Sequence, residues 1–370
     1  MTEPLWDELL TDDDRRVLDA GSPSELDRAP DVLVVGGGVA GLATAMFLRR
    51  ADLDRVTVID RERLASGPSG RAAGTLTPAI HALLKPDAFV RLAARGLELH
   101  RELDAEWEGA AGFRTIDSLV VPPMEPPPEL LERAGATLVD GEAARELEPE
   151  LGEFEQVVHL PRQGAVRPLA FARELSRRAG HVHTGVEMMD LEIDGDRVTR
   201  VHTSHGDVTP GALVLATGTT EHCPLPQRRV KGHMLATDPA PFRLRTMPAA
   251  LVGTVQAAEG HVVAGGTFDR GDDDPDVRDE VVESILSDLH RLISGSKALS
   301  VQHVWTCFRP STFDELPLID RVAGTTNAWV NAGHFRTGIL VAPAAAELLA
   351  EWITTGERPA LAGAFSERRT

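Results

Sequence analysis

Short apolar runs alternate along this chain with longer stretches in which apolar residues recur every three or four positions. The first run, Asp31–Val35, leads into a glycine turn and an alanine-rich stretch, and the next run, Val56–Asp60, ends in an acid. Continuous apolar runs of this length are typical of strands buried on both faces of a parallel sheet. The pattern therefore predicts an α/β fold that begins with a strand–helix–strand unit.

The rest of the chain continues this mixture of elements. Helical spacing predicts helices over 86–110, 169–175, 277–293 and 341–352. Apolar and alternating runs predict strands over 118–122, 188–193, 197–203, 207–209, 212–216, 231–237, 249–255, 261–266, 317–320 and 328–333. The acidic run 269–276 is predicted to be a solvated loop.

The first 30 residues form an acidic extension with helical spacing. Trp6 and Leu18 are among its apolar residues, and Gly21 and Pro23 are expected to end the helix. Such an extension could be a dimer contact, a lid over the following unit or a strap packed on the surface, and we favour the strap.

The glycine turn has the form G-x-G-x-x-G, with Gly36, Gly38 and Gly41 at its glycine positions. Gly36 permits a tight turn, Gly38 lets the backbone approach a pyrophosphate, and Gly41 brings helix and strand close together. The helix N-terminus offers unpaired N–H groups to phosphates. Asp60, at the end of the second strand, is placed to accept hydrogen bonds from a ribose hydroxyl. The unit predicts a dinucleotide site.

Composition and charge exclude some classes of binding partner and indicate a cellular location. The chain has 370 residues, enough for two domains, and a formal net charge of -19, which argues against nucleic acid or an anionic membrane as partner. The apolar stretches are strand-length, so we expect no membrane span, and residues 1–30 lack a signal-peptide pattern. Cys223 and Cys307 do not make a disulfide framework, so a cytoplasmic location is expected.

The order of motifs resembles the amine and amino-acid oxidase superfamily, which includes glycine oxidase, sarcosine oxidase and D-amino-acid dehydrogenases. The resemblance covers about residues 31–355. Besides the glycine turn, it is carried by Ser69-Gly-Arg71-Ala-Ala-Gly74, Leu160–Pro168, Ala216-Thr217-Gly218, Val263–Thr267, Arg309–Asp320 and Gly333–Pro343. It implies FAD as cofactor, and the chain has no second G-x-G-x-x-G for a nicotinamide domain.

The resemblance also implies a domain plan. A discontinuous, Rossmann-like FAD-binding domain is expected over 31–84, 159–223 and 302–360. A β-sheet substrate domain is expected over 85–158 and 224–301, and residues 1–30 form an N-terminal helical extension.

The same resemblance implies which residues meet FAD. Met188 is expected to face the adenine edge through its backbone, and the last helix is expected to point its positive N-terminus at the flavin N1/C2 carbonyl, favouring the anionic reduced ring. The implied FAD contacts are Gly36, Gly38, Val39, Ala40, Gly41, Asp60, Arg61, Ser69, Arg71, Ala72, Ala73, Gly74, Met188, Ala216, Thr217, Gly218, Cys307, Gly333, Thr337, Gly338 and Ile339.

Three residues are candidates for the substrate site. Arg309 lies where glycine-oxidase-like members place the arginine that pairs with the substrate carboxylate, and a guanidinium suits bidentate carboxylate binding. Arg336 and His334 either contact substrate or hold the flavin-proximal loop. His159 and His233 are expected to be satisfied structural histidines.

Two features separate this chain from the family it resembles. In sarcosine-oxidase-like members a cysteine two positions before the Arg309 site carries the flavin through a thioether, so Cys307 could be a covalent link; a small buried thiol is the favoured alternative. The chain has no tyrosine, whereas glycine-oxidase-like sites use tyrosine hydroxyls around the substrate. A substrate larger than glycine therefore becomes plausible.

The predicted function is FAD-dependent oxidation of an amine or amino acid to an imine, by hydride transfer to flavin N5, with oxygen or another acceptor taking the electrons. One alternative is a 2-hydroxy-acid dehydrogenase of the same superfamily. Another is an NAD(P)H-dependent flavin monooxygenase, although Ala332-Gly333-His334 stands where such proteins carry Gly-Asp-Ala. A third is a flavin-bearing partner subunit with a decayed site, against which the retained Arg309 argues.

Overall fold

A computed structural model describes residues 3–22, 25–218, 228–250, 252–257 and 259–367. Its α-helices are α1 (Leu5–Glu8), α2 (Asp12–Leu18), α3 (Val39–Arg50), α4 (Pro78–Ala82), α5 (Asp87–Glu106), α6 (Pro128–Ala134), α7 (Gly141–Leu147), α8 (Pro168–Ser176), α9 (Asp279–Leu292) and α10 (Gly338–Thr355), with 3₁₀ helices at Ser294–Ala298 and Ala360–Phe365.

Its first eleven strands are β1 (Val32–Val35), β2 (Val56–Asp60), β3 (Thr75–Leu76), β4 (Arg114–Val120), β5 (Thr137–Asp140), β6 (Gln156–Ala165), β7 (His181–Thr184), β8 (Met188–Asp194), β9 (Arg197–Thr203), β10 (Gly206–Val208) and β11 (Ala212–Leu215). The later strands are β12 (Arg228–Pro239), β13 (Met247–Ala249), β14 (Gly253–Gln256), β15 (His261–Gly265), β16 (Asp269–Arg270), β17 (Val301–Ser311), β18 (Leu318–Arg321) and β19 (Ala328–Ala332).

The first layer is a six-stranded sheet in the order β18-β19-β11-β1-β2-β7. Its strands run parallel except β18, as the continuous apolar runs predict. Alternate residues of β1 face opposite sides: Val32 and Val34 join the helix-side core, whereas Leu33 and Val35 pack with the meander β8–β10. The sheet therefore lies between helices on one face and the small antiparallel sheet on the other.

The second layer is a ten-stranded sheet whose main path is β16-β12-β15-β14-β13-β4-β6-β3, with β17 paired to β12 and β5 paired to β6. Strands β12 and β17 are antiparallel and stay in register from Arg228↔Ser311 to Ala236↔His303. The amphipathic helix α9 packs on β12 and β15 and buries Ile285, Leu289 and Leu292 in a second core.

Helix α10 is apolar and long enough to cross a membrane, but 61% of that stretch is buried inside the protein. It packs against α3 and α5, and most of its residues from Ile339 to Ala350 belong to the main core. This packing is typical of a core helix. A helix buried in this way is expected to be apolar on all sides.

Most predicted elements are confirmed with shifted ends, and three predictions are wrong. The N-terminal helix is two helices, because Thr11 and Asp14 form a capping box that starts α2. The predicted strand 249–255 is a hairpin, in which Ala249 pairs with Gly253. The acidic run is not entirely loop, since its first two residues form β16 against β12. Pro23 and the predicted proline-rich boundary at 224–226 lie outside the described residues.

Two long strands had no sequence prediction. Strand β17 has mostly half-exposed residues and several polar ones, so it shows no apolar run, and β6 contains Pro161. Both strands belong to the ten-stranded sheet. The predicted domain plan, in contrast, assigns 159–223 and 302–360, which contain most of the two strands, to the FAD-binding domain. The division into two domains stays a prediction.

Candidate functional site

A cavity of about 520 Å³ lies where the two sheets meet. One wall is formed by residues that follow the carboxyl ends of β1, β2 and β11, and the other by β12, β15 and β17. Ligand sites in open α/β sheets lie at this end of the parallel strands.

Nearly all the predicted site residues line this cavity. They are Gly36, Gly38, Val39, Ala40, Asp60, Arg61, Ser69, Arg71, Ala72, Ala73, Gly74, Ala216, Thr217, Gly218, Cys307, Arg309, Gly333, His334, Arg336, Gly338 and Ile339. Gly41, Met188 and Thr337 are not among the lining residues. Met188 begins β8 and is buried in the core on the far side of the sheet, and the Thr337 hydroxyl donates to the carbonyl of His334.

The glycine turn depends on close backbone approach. Gly36 has φ +116°, and a Cβ there would collide with the Ala216 carbonyl group. A Cβ on Gly41 would collide with the carbonyl oxygen of Gly36. These contacts bring the start of α3 against the end of β11, which exposes the first turn of the helix to the cavity. Ser69 Oγ accepts from the Val39 amide at 3.1 Å, while the next first-turn amides have no carbonyl partner within the helix.

The Asp60 side chain holds the glycine turn in place. Its carboxylate accepts from the Gly37 amide at 2.6 Å and from the Glu62 amide at 2.8 Å. Burial raises the pKa of the Asp60 carboxyl, and the two backbone donors oppose that rise. The sequence predicted a ribose contact for Asp60; the structure adds a role in holding the glycine turn. Arg61 lies beside it, 3.8 Å from Glu62 and from Glu187.

Residues 71–74, which we call the cradle, pass along the cavity wall and are held by two tryptophans. The Trp6 indole donates to the Ala72 carbonyl at 2.8 Å, and the Trp305 indole donates to the Arg71 carbonyl at 3.1 Å. The cradle ends at Gly74, which has φ +81° and whose Cβ would collide with the Val166 carbonyl. Sequence reasoning missed both indole contacts, because it counted Trp6 only as an apolar residue.

The opposite end of the cavity is cationic. Arg309 donates to the Thr267 carbonyl at 2.8 Å, and its guanidinium carbon lies 5.3 Å from the centroid of the Phe268 ring. The guanidinium carbon of Arg336 lies at the same distance from that ring. Burial lowers the pKa of Arg336, and the charge of Arg309 lowers it further. Within the described ranges neither arginine forms a salt bridge with a carboxylate, so this end of the cavity favours an anion.

Gly232 makes room for Arg309. It lies on β12 opposite Cys307, and a Cβ there would collide with the guanidinium group of Arg309. Gly232 carries no motif that sequence reasoning could use, because the contact comes from strand pairing between distant parts of the chain.

His334 is neutral and buried at the cavity wall. Its Nε2 lies 2.7 Å from Asn331 Oδ1, while the Asn331 amide donates to Thr44 at 3.0 Å. The Asn331 oxygen must therefore accept, which assigns the imidazole proton to Nε2. Burial lowers the pKa of His334 to about 4. Its Nδ1 has no hydrogen-bond partner among the described residues, so it is a free acceptor in a buried site.

The remaining candidates have ordinary surroundings. Cys307 is a free thiol, and burial raises the pKa of that thiol, so it stays protonated. His159 lies 2.6 Å from Asp117, and His233 lies 2.9 Å from Asp269. The prediction that these two histidines are satisfied is confirmed. Cys223 lies outside the described residues.

The chain is similar to known FAD-dependent oxidoreductases. The family model described as FAD dependent oxidoreductase (DAO) matches residues 31–352. Glycine oxidase of Pseudomonas aeruginosa is 30% identical over 357 residues, covering 89% of this chain and 95% of that protein. The bifunctional protein ThiO/ThiG of a Synechocystis species is 29% identical over 360 residues, covering 92% of this chain, which spans only 54% of that relative.

Solved structures show the same fold. Glycine oxidase of Bacillus cereus superposes with a TM-score of 0.82 at 23% identity, covering 92% of this chain and 99% of that one. L-proline dehydrogenase of P. horikoshii gives a TM-score of 0.83 at 22% identity, covering 92% and 97%. The family match gives FAD as the cofactor, and neither these comparisons nor the protonated thiol of Cys307 indicates a covalent link. The chain belongs to the DAO family of FAD-dependent oxidoreductases and is an enzyme of the amine and amino-acid oxidase type.

Proposed function

We propose that this enzyme oxidises the C–N bond of an amino acid or related amine to an imine, with Arg309 anchoring a substrate carboxylate. The observation that carries the proposal is the pair of guanidinium groups beside Phe268, neither of which forms a salt bridge with a carboxylate of the described residues. A bound carboxylate would pair with them.

The cavity suits FAD along its whole length. The glycine turn would hold the pyrophosphate, the cradle would lie along the ring, and the first turn of α10 would face the ring from Gly338 and Ile339. Gly36, Gly41 and Gly74 let the backbone pack closely around this end of the cavity, where any side chain would collide with a neighbouring carbonyl group. When bound, FAD supplies a ring that accepts hydride from a substrate carbon.

Arg309 is built to orient substrate rather than to move a proton. Its bond to the Thr267 carbonyl occupies one nitrogen and leaves the rest of the fork for a carboxylate. Held in this way, a substrate is aligned before reaction, and positioning of this kind supplies much of the rate in such oxidations.

The arginine pair also helps to prepare the amine. Oxidation needs the substrate nitrogen unprotonated, and nearby positive charge disfavours the ammonium form. His334 is neutral at the cavity wall, so it adds no positive charge of its own beside the amine. These groups together favour a neutral, oriented amine without a dedicated base.

The chain has no tyrosine, so the contacts that glycine-oxidase-like sites make with tyrosine hydroxyls must differ here, which supports a substrate larger than glycine. Oxygen or another small acceptor would take the electrons, and a cytoplasmic location stays a prediction. A 2-hydroxy acid is the second candidate substrate, because the same arginine pair would bind its carboxylate.

An anaerobic absorbance experiment distinguishes amine oxidation from 2-hydroxy-acid oxidation and from reduction by NADPH. The holoenzyme is mixed in turn with glycine, sarcosine, D- and L-amino acids, cyclic imino acids, 2-hydroxy acids and NADPH. We expect the flavin band to bleach with an amine-containing carboxylate. Bleaching by a 2-hydroxy acid alone would move the assignment to C–O oxidation, and bleaching by NADPH alone would contradict the oxidase mechanism.

A further inference from the structure

The N-terminal strap, residues 3–22, precedes the part of the chain that the family model matches. Its helices α1 and α2 do not stand free of the protein: Leu5, Trp6 and Leu18 are buried in the main core. The strap is therefore packed firmly onto the rest of the protein.

The strap holds the cradle directly. The buried Trp6 indole donates to the Ala72 carbonyl at 2.8 Å, and Ala72 lines the cavity. One residue earlier, the Arg71 carbonyl receives the indole N–H of Trp305 from β17. Two consecutive carbonyl groups are thus fixed by indoles from two different segments, which leaves the cradle little freedom to turn its backbone.

The strap also contacts the glycine-turn side of the cavity. Asp7 pairs with Arg63 at 2.5 Å, and the Leu64 amide donates to the Leu18 carbonyl at 3.0 Å. Leu64 in turn packs beneath Gly37, whose added Cβ would collide with it. The same segment therefore supports both the cradle and the floor of the glycine turn.

A third set of contacts reaches the strand that carries Arg309. His303, on β17, lies 3.1 Å from the carbonyl oxygen of Glu3 and 3.1 Å from the Glu8 carboxylate. The strap thus joins the parallel-sheet side of the cavity to the strand that bears its cationic end.

We propose that the strap is a cofactor clamp, in which Trp6 acts as a positioning residue that holds the cradle against FAD. The proposal rests on the FAD site and not on the identity of the substrate. It assigns the strap a role in cofactor retention, in place of a dimer contact.

The test replaces Trp6 by phenylalanine, which keeps the aromatic packing and removes only the indole donor. Loss of one hydrogen bond from a carbonyl that stays partly buried predicts an FAD dissociation constant raised about three- to ten-fold. Trp107→Phe is the matched control, because the buried Trp107 indole has no hydrogen-bond partner among the described residues. FAD affinity is measured by titrating apoprotein and following the quenching of flavin fluorescence.

Two further readouts separate clamping from general stability. The thermal midpoint of the apoprotein should fall more in Trp6→Phe than in Trp107→Phe, because only Trp6→Phe leaves a carbonyl without its donor. The visible circular dichroism of bound flavin should change only in Trp6→Phe. An Asp7→Asn variant, which removes the negative charge that pairs with Arg63, should weaken FAD binding in the same direction.

FAD affinity in Trp6→Phe and Asp7→Asn equal to that of the control would overturn the clamp. Unchanged flavin dichroism in Trp6→Phe would do so as well. None of these measurements uses a substrate, so their outcomes are independent of the proposed amine oxidation.

Discussion

Substituting Gly232 by alanine tests the Arg309 assignment without removing the arginine. The new Cβ would occupy the space of the guanidinium group, and it would meet the far end of a flexible side chain rather than backbone. Arg309 must therefore move, while strand β12 keeps its pairing with β17. The bond from Arg309 to the Thr267 carbonyl, 2.8 Å long, would be lost or distorted.

The expected magnitude follows from the interaction that moves. A hydrogen bond to a charged group contributes about 1.5–3 kcal/mol, so misplacing the fork by the width of a methyl group should lower kcat/KM by about 10- to 150-fold. We expect most of the loss as a higher KM, because the arginine is proposed to bind substrate before and during reaction. FAD content and the thermal midpoint should change little.

Gly253→Ala is the matched control. Gly253 also lies in the ten-stranded sheet and lines the cavity, but an added Cβ would have nothing within 4 Å. Steady-state kinetics with the best amino-acid substrate compare the two variants. Wild-type kcat/KM in Gly232→Ala would refute the reasoning, because it would mean that the position of Arg309 does not matter.

Three further predictions concern the cofactor and the core. Asp60→Asn cannot accept from the Gly37 and Glu62 amides through two carboxylate oxygens, so FAD affinity measured by fluorescence titration should fall about ten-fold. Burial lowers the pKa of His100 from 6.5 to about 4. The neutral imidazole therefore contributes about 3 kcal/mol of folding stability above pH 6.5, and this contribution is lost as the pH falls to 4. In urea unfolding, His100→Gln should lose less stability over this range than wild type, and an equal loss would exclude His100 as a source. Acid precipitation of the holoenzyme should release all its flavin, whereas flavin retained in wild type but not in Cys307→Ser would establish a covalent bond.

The nucleotide unit could be predicted from sequence because its constraints are local. The turn from Gly36 to Gly41 is specified within a few residues by strand, glycine spacing and helix. The parallel strands could be predicted for a similar reason, because their continuous apolar residues indicate burial on both faces. Arg309 and Arg336 could be named only through the family resemblance, since nothing in their own spacing places them at one ring.

The rest of the site comes from long-range packing. Gly232 meets Arg309 through the pairing of β12 with β17, and Trp6 meets Ala72 across 66 positions of the chain. Strand β17 itself escaped prediction because most of its residues are half-buried and several are polar. Such contacts depend on register and on the fold as a whole, and no local pattern records them.

The central claim is tested most directly by anaerobic reduction of the flavin in wild type and in Arg309→Ala loaded to equal FAD content. With an amino acid as reductant, we expect the variant to need at least about a hundred-fold more substrate for half-maximal rate, in keeping with loss of a bidentate charged contact. The amine that lacks the carboxylate should reduce both proteins equally slowly. Equal substrate dependence of wild type and Arg309→Ala would contradict the account.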